Sequence, residues 1–347
     1  MLCPDACCAL TKTMQTRPYF LTLLFLLLAI ALSVAVGSVF IPPADLWRVL
    51  TGRPPQEVTQ AAAILLDLRL PRTALLLLTG AALGGSGAAY QGLFRNPLAD
   101  PYLIGVASGA GLGAVAAMSL GWPYTTLGLL AVPLAAFLCA LLTVALVYSL
   151  ARLGRTVPTT NLILAGVAFS SFATALTSFL MLRSQDEVRR ALAWLLGGGS
   201  VAGWGAVLAM LPYVAAGLAG LLLSGHTLNL LQFGDDQAAQ MGLPVTRAKT
   251  LVLVAASLAT AAAVAFSGII GFLGLIVPHL MRLWFGADHR RLLPLSVLGG
   301  AGFLLVADVL ARIVLAPQEL PVGIVTALVG APFFLWVLRR AKGQGIW

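Results

Sequence analysis

The side chains that could perform catalysis are scattered along this 347-residue chain. Its three histidines, His226, His279 and His289, stand on separate segments, and no histidine or cysteine motif has the spacing of a zinc site. The G-x-x-x-x-G-K-[ST] loop that binds the phosphates of ATP is also missing. The sequence therefore predicts no catalytic residue, no metal site and no cofactor on this chain, and any ATP with its Mg²⁺ must bind another polypeptide.

Asp308 is an acidic residue that falls within a long apolar segment. An ionisable group inside a membrane is a functional candidate by default. Arg312 follows it by four residues, a spacing that puts both side chains on one face of a helix. We therefore interpret Asp308 and Arg312 as a structural ion pair.

The elements that position these residues are membrane-spanning helices. Apolar residues make up 60% of the chain and charged residues only 10%, with a mean hydropathy of +0.97, a composition that favours lipid over water. A spanning helix needs roughly 20 mostly apolar residues. Ten such segments are predicted, at residues 19–40, 62–84, 102–120, 124–150, 160–182, 203–224, 250–267, 270–285, 293–315 and 321–338. The sequence therefore predicts an all-α polytopic membrane protein.

The basic residues indicate the orientation of these helices. An even number of spans places both termini on one side, and with the termini in the cytoplasm most of the 21 lysines and arginines face the cytoplasm. The net charge of +9 is then a topology signal, and no nucleic-acid partner is needed to explain it.

Both ends of the chain are predicted to be cytoplasmic tails, a poorly ordered one at 1–18 and a short one at 341–347, around a single domain at 19–340. Segment 19–40 is too long for a signal-peptide core and is interpreted as a retained helix.

The four cysteines, Cys3, Cys7, Cys8 and Cys139, are too few for a disulfide framework. The first three suggest a metal site or a site of lipid attachment. The alternative is that they belong to a dispensable leader before a second start at Met14.

The stretch 91–101, QGLFRNPLADP, is a polar hinge between two apolar, glycine-rich segments. Lipid cannot satisfy the backbone of such a turn, so it must lie outside the bilayer or inside the protein. Glycines on either side recur at helical spacing, which lets helices approach closely. They are Gly80, Gly84 and Gly87 before the hinge and Gly105, Gly109 and Gly113 after it.

The longest predicted cytoplasmic loop, 226–249, contains a short helix. Asp235 is a candidate N-cap, and Gly242 followed by Pro244 ends the helix. Such a helix could dock a soluble partner, or the loop could be a solvated linker.

A set of motifs in fixed order resembles the FecCD-type permeases, the membrane subunits of ATP-binding-cassette (ABC) importers for ferric siderophores, haem and vitamin B12. The resemblance extends from about residue 40 to 340. The motifs are LRLPR at 68–72, QGLFRNPLADP at 91–101, GVASGA at 105–110, AAQMGLP at 238–244, GFLGLIVPH at 271–279, DHRRLLP at 288–294, ADVLAR at 307–312 and ELPVGIVTALVGAP at 319–332.

The resemblance implies a type II ABC importer permease with ten helices, in a prokaryotic inner membrane. Such a permease forms a homodimer with a second copy of itself, two cytoplasmic ABC ATPases and one periplasmic or lipid-anchored substrate-binding protein. It implies that Arg69, Arg72 and Arg312 face outward and dock the binding protein, although they could instead snorkel to lipid headgroups or cap helices. It also implies an ATPase-coupling segment made of Asp235, Asp236, Gln237, Ala238, Ala239, Gln240, Met241, Gly242 and Leu243.

The resemblance further implies a cytoplasmic gate and a pathway between the two subunits. The gate residues would be Asn96, Pro97 and Leu98 in the hinge, with Thr159 and Thr160 at the start of the fifth span. The pathway would run along the same span, past hydroxyls that could equally serve helix packing. They are Ser170, Ser171, Thr174, Thr177 and Ser178.

The cargo implied by the resemblance is an iron chelate, either a ferric siderophore or haem, with cobalamin as the alternative. His279 could in principle ligate haem, but it belongs to a motif shared across the family and so does not report one cargo. A proton- or sodium-coupled carrier is the competing class, for which Asp308 would be the coupling acid.

Overall fold

The computed structural model describes residues 5–37, 41–51, 62–120, 126–154, 156–183, 187–198 and 203–342, and these residues form a bundle of helices. The α-helices are α1 Asp5–Ala35, α2 Pro43–Leu50, α3 Leu70–Leu93, α4 Val106–Ser119, α5 Thr126–Ala151, α6 Thr159–Arg183, α7 Val188–Leu195, α8 Trp204–Leu223, α9 Gly225–Leu231, α10 Asp235–Gln240, α11 Val245–Ser267, α12 Leu273–Phe285, α13 His289–Ile313 and α14 Val322–Lys342. A π-helical turn, Ile64–Arg69, leads directly into α3.

Seven helices of the described chain are long and apolar enough to cross a membrane. Three shorter apolar helices, α4, α12 and the apolar part of α14, occupy the other three predicted spans. Each of the three follows a non-helical stretch, at 94–105, 268–272 and 314–321, and α4 and α12 begin a few residues later than predicted. The all-α membrane fold is confirmed, and the count of ten spans stays a prediction.

Helices α3, α11 and α13 form the centre of the bundle, since most of each is buried. The most extensive packing is between α3 and α13, and α1, α8 and α12 surround this pair. Helices α1, α6 and α8 expose most of their apolar side chains. In a membrane protein such faces contact lipid or another subunit.

Several predicted boundaries are corrected by the structure. The second span was predicted to end at 84, but α3 continues through the glycines to Leu93, so Gln91 lies in the helix and the irregular turn begins after it. Helix α1 begins at Asp5, inside the tail predicted at 1–18. Helices α11 and α13 begin at Val245 and His289, before the predicted starts at 250 and 293. Residues 1–4 and 343–347 of the predicted tails lie outside the described residues.

The predicted close approach of glycines is confirmed at the crossings of α3. A Cβ at Gly84 would lie 2.3 Å from the carbonyl oxygen of Ser296 on α13, and one at Gly87 would lie 2.1 Å from that of Gly274 on α12. No real Cβ approaches an oxygen so closely, so these positions require glycine. The short helix–helix distance that results fixes the central helices against one another.

Candidate functional site

Arginines and acids from three separate segments meet at one end of the bundle, here called the outer end. Arg72 in the first turn of α3 donates from Nε and Nη2 to Asp308 Oδ1 on α13, at 3.0 and 2.7 Å. Its Nη1 reaches Glu319 on the segment between α13 and α14. Arg312 Nε lies 2.9 Å from the other oxygen of Asp308, which confirms the predicted ion pair. The buried Asp308 carboxylate is thus shared by two guanidinium groups.

Arg69 and Arg312 are buried in the described structure, with 6% and 3% of their surface exposed. Arg69 Nη1 donates to the carbonyl oxygens of Val34 and Ala35 at the end of α1, and Arg312 Nη2 donates to that of Ser33. Arg69 and Arg312 are therefore occupied by contacts within the chain, and their role in docking the binding protein stays a prediction. Both guanidinium groups satisfy carbonyls that the end of α1 leaves unpaired.

Arg72 is the predicted docking residue that remains partly accessible, with 35% of its side chain exposed. All three arginines line one cavity of about 460 Å³, together with Asp308, Glu319 and residues of the π-helical turn. The arrangement presents a guanidinium group that is held in place by two carboxylates, next to an open space. Such a group is able to bind a carboxylate from another molecule.

The short helix α10 lies at the opposite, inner end of the bundle. Ala238 is its buried anchor, and the residues around it are exposed, including Met241 with 52% of its surface accessible. Leu243 N donates to the carbonyl oxygen of Ala238, and Gly242 has a φ of +85°, so the helix ends where the sequence predicts. The helix thus presents a mostly polar surface with one apolar side chain.

The predicted N-cap of α10 is wrong. Gly234 occupies the N-cap position, and Asp235 is the first helical residue. The Asp235 carboxylate instead accepts from Lys249 Nζ at 2.6 Å, which ties α10 to the N-terminal part of α11. Lys249 is largely buried and Asp235 exposed, so the pair anchors α10 from the side of the bundle.

The predicted gate residues belong to a compact turn that continues α3. Asn96 Oδ1 accepts from Leu98 N at 2.9 Å, and Asn96 N donates to the carbonyl oxygen of Gln91 at 3.1 Å. Thr159 begins α6 and borders the same small crevice as Phe94, the residue that caps α3. Thr160 is exposed. The structure therefore brings the end of α3 beside the start of α6.

The predicted pathway hydroxyls divide between two faces of α6. Ser170, Ser171 and Thr174 border an open space of about 640 Å³, together with Asp100 and Tyr102 after the hinge. Ser178 is exposed and donates to the carbonyl oxygen of Thr174. Thr177 is buried and donates to that of Ala173, so it lies on the packed face and does not join this lining.

The three histidines remain apart from any metal-binding arrangement in the part of the chain that the structure describes. His279 contacts the ring of Phe333 edge-on, and His226 Nδ1 lies 2.8 Å from Arg290 Nη2. His289 binds Asn229. These contacts are structural.

Sequence reasoning missed a group of polar side chains at the inner end, because neutral amides in loops and helix ends form no recognisable pattern. Asn229 lies in α9, and Gln232 is the first residue after that helix. Asp288, the N-cap of α13, accepts from Asn229 Nδ2 at 2.6 Å, and this bond holds the pKa of Asp288 below its usual value. Arg282 donates to Gln91. Glu319 at the outer end was also missed, although it lies within a quoted motif.

Comparisons with known proteins agree with this architecture. The family model described as the FecCD transport family matches residues 24–340. The cobalamin import system permease protein BtuC of Halobacterium salinarum is 48% identical over 286 residues, which cover 82% of this chain and 76% of that protein. The hemin transport system permease protein HmuU of Yersinia pestis is 40% identical over 332 residues, which cover 94% of this chain and 96% of that protein.

A solved structure supports the same assignment. A metal-chelate type ABC transporter in an inward-facing conformation superposes with a TM-score of 0.80 and 31% sequence identity, over 93% of this chain and 98% of that one. The helical membrane fold, the order of the motifs and the matched length all agree with membership of one family. The chain belongs to the FecCD transport family of ABC importer permeases.

Proposed function

We propose that this chain is the permease subunit of an ATP-driven importer that moves a metal chelate into the cytoplasm by alternating access. The match to the FecCD model across residues 24–340 is the observation that carries this proposal. The relatives named above handle cobalamin, hemin and metal chelates, so the proposed cargo is this class: a ferric siderophore, haem or cobalamin.

The proposed assembly contains a second copy of the chain, two cytoplasmic ATPases that bind ATP and Mg²⁺, and a substrate-binding protein on the outer side. Exposed α10 at the inner end supports ATPase docking, and accessible Arg72 at the outer end supports docking of the binding protein. Open space beside Ser170, Ser171 and Thr174 supports a pathway along α6. Both termini are proposed to be cytoplasmic in a prokaryotic inner membrane.

The structure gives little support to an ion-coupled carrier. Such a carrier needs an acid that an ion can reach and leave. Asp308 has no exposed surface and is bound by Arg72 and Arg312, so its charge is already balanced within the protein.

ATPase docking on α10 is tested by replacing Met241 with aspartate. Met241 is an exposed apolar side chain at the end of α10, and a carboxylate there would have to be desolvated at an interface. We expect Met241→Asp to weaken binding of the partner ATPase about tenfold. The measurement is retention of ATPase by the purified permease over a range of ATPase concentrations.

The matched control for this variant is Val314→Asp, which places the same charge on an exposed apolar residue after α13, at the outer end. It should leave ATPase binding unchanged. Full ATPase binding by Met241→Asp, with the wild type binding normally, would contradict docking on α10. A wild-type chain that binds no ATPase, or hydrolyses ATP by itself, would contradict the proposed function.

Docking of the binding protein is tested at Arg72. Because Arg312 still pairs with Asp308 when Arg72 is removed, we expect Arg72→Gln to fold. We expect it to weaken the binding protein about tenfold, since one charge-assisted contact is lost. Surface plasmon resonance on permease in nanodiscs measures the affinity. Arg183→Gln removes an exposed charge at the far end of α6 as the control, and an equal loss there would indicate general charge attraction instead of a docking site.

A further inference from the structure

A hydrogen bond joins the loop that carries α10 to the end of α3. Gln232, which follows α9, donates from Nε2 to the carbonyl oxygen of Gly92 at 2.9 Å. Gly92 lies in the last turn of α3, and its carbonyl oxygen also accepts from Arg95 N, in the first turn of the hinge, at 3.3 Å. The side chain of Gln232 therefore binds the same Gly92 carbonyl oxygen that accepts the first hydrogen bond of the turn after α3.

Asn229 fixes the position of α9, the helix that ends one residue before Gln232. Its Oδ1 accepts from His289 N at 2.8 Å, while its Nδ2 donates to Asp288 Oδ1 at 2.6 Å. Because a carboxylate only accepts, the orientation of this amide is determined, and His289 Nδ1, at 3.1 Å from Asn229 Oδ1, must carry the proton. Helix α9 is thereby attached to the start of α13.

The His289 side chain also fills the space between α13 and the end of α3, so that no side chain would fit at Gly92. Its Nε2 is buried and has no hydrogen-bond partner among the described residues. A Cβ at Gly92 would lie 2.6 Å from this atom. The backbone of Gly92 is therefore confined by His289 on one side and bonded to Gln232.

The rest of α3 is held by other contacts. Arg282 on α12 donates to Gln91 Oε1 at 2.9 Å, and Gln91 Nε2 donates to the carbonyl oxygen of Gly274 at 3.2 Å. Further along, Gly84 and Gly87 bring the helix against α13 and α12. A force applied at Gly92 would therefore deform the turn that follows it before it moved the body of α3.

We propose that Gln232 transmits displacement of α10 to residues 94–100, the non-helical part of the hinge, through its bond to the Gly92 carbonyl oxygen. Gln232 is a positioning residue in this role. Asn229 holds the preceding helix α9 against α13 while Gln232 moves with α10. The inference rests on the proposed function, since it assumes an ATPase that moves α10. In the assembled importer, Gln232 links the ATPase-docking helix α10 to the candidate gate.

The experiment compares three substitutions of Gln232 in the importer reconstituted in liposomes with its ATPase and binding protein. Gln232→Met keeps the length of the side chain but has no donor, Gln232→Glu has only acceptors, and Gln232→Lys keeps a donor. The probes are haemin, cyanocobalamin and a ferric hydroxamate, of which the one that the wild type imports is used. Cargo imported per ATP hydrolysed is measured.

We expect the Met and Glu variants to lower cargo per ATP about fivefold, with complex assembly and ATPase activity near wild type. The Lys variant should keep more than about half of the wild-type ratio, because it can still donate to the carbonyl. Gln318→Met, an exposed residue at the outer end, is the control and should behave as wild type. Unchanged coupling in the Met and Glu variants overturns the proposal. Equal loss of assembly, ATPase activity and transport overturns it too, since that indicates a folding role.

A second measurement uses the purified chain alone and is independent of the proposed function. Hydrogen–deuterium exchange of Gln232→Met should be faster than wild type at residues 94–100 and unchanged in the middle of α3. Unchanged exchange at 94–100 would overturn the link even if the importer functions. Faster exchange there, in a chain that binds no ATPase, would retain the link and contradict only the proposed function.

Discussion

Replacing Asp308 with alanine is expected to lower the free energy of unfolding by about 3–5 kcal/mol. Asp308 has no exposed surface, and its two oxygens pair with Arg72 at 2.7 Å and Arg312 at 2.9 Å. Removal of the carboxylate leaves Arg312 buried without its counter-charge, and a charge in that state costs far more than the ion pair contributed. The end of α1, which Arg312 and Arg69 bind through backbone carbonyls, should loosen as well.

Thermal unfolding of the detergent-purified protein measures this effect. Asp236→Ala, which removes an exposed acid from α10, is the control and should leave the midpoint within a degree or two of wild type, since exposed charges contribute about 0–1 kcal/mol. The double variant Asp308→Leu with Arg312→Met should be more stable than Asp308→Ala, because it removes both buried charges. Equal midpoints for Asp308→Ala and Asp236→Ala would contradict the structural role of the cluster.

The pair within this cluster could be predicted from the sequence, and the cluster itself could not. Asp308 and Arg312 are four residues apart on one helix, so local geometry alone brings them together. Arg72 lies 236 residues before Asp308 in the chain and Glu319 lies on another segment, and only the packing of α3 against α13 makes them neighbours. The resemblance identified the three arginines but gave no information on how far each is buried.

The helices themselves follow from apolar segments of the right length, which a membrane protein requires whatever its function. The end of α3 was misplaced because Gly84, Gly85 and Gly87 disfavour an isolated helix. In the folded chain these glycines are where neighbouring helices approach, and the packing energy compensates for their poor propensity.

The inner end shows the same division between local and tertiary information. Helix α10 could be predicted because a glycine followed closely by a proline, here Gly242 and Pro244, is a local signal for a helix end. The N-cap could not, because Lys249 on the next helix draws the Asp235 side chain away from the backbone. Gln232 and Asn229 are ordinary loop residues in the sequence, and their role depends on the nearby ends of α3 and α13.

Substitution of Gly84 by alanine is expected to lower the free energy of unfolding by about 1–3 kcal/mol. The added Cβ would lie 2.3 Å from the carbonyl oxygen of Ser296 and 3.1 Å from the Cα of Gly300, both backbone atoms of α13. A flexible side chain could rotate away, but a helix backbone must move as a unit. The two central helices would therefore separate, and the contacts along both would weaken.

Gly205→Ala is the matched control for this prediction. Gly205 is also helical, in the first turn of α8, and a Cβ there would meet no atom within 4 Å. Both substitutions gain the helix propensity of alanine, up to about 1 kcal/mol, so the difference between the two variants isolates the cost of the clash. Thermal midpoints in detergent should therefore fall for Gly84→Ala and stay level or rise for Gly205→Ala. If Gly84→Ala were as stable as Gly205→Ala, the close approach at this crossing would not be what holds α3 against α13. The body of α3 would then lack the rigid support that the proposed movement of the hinge requires.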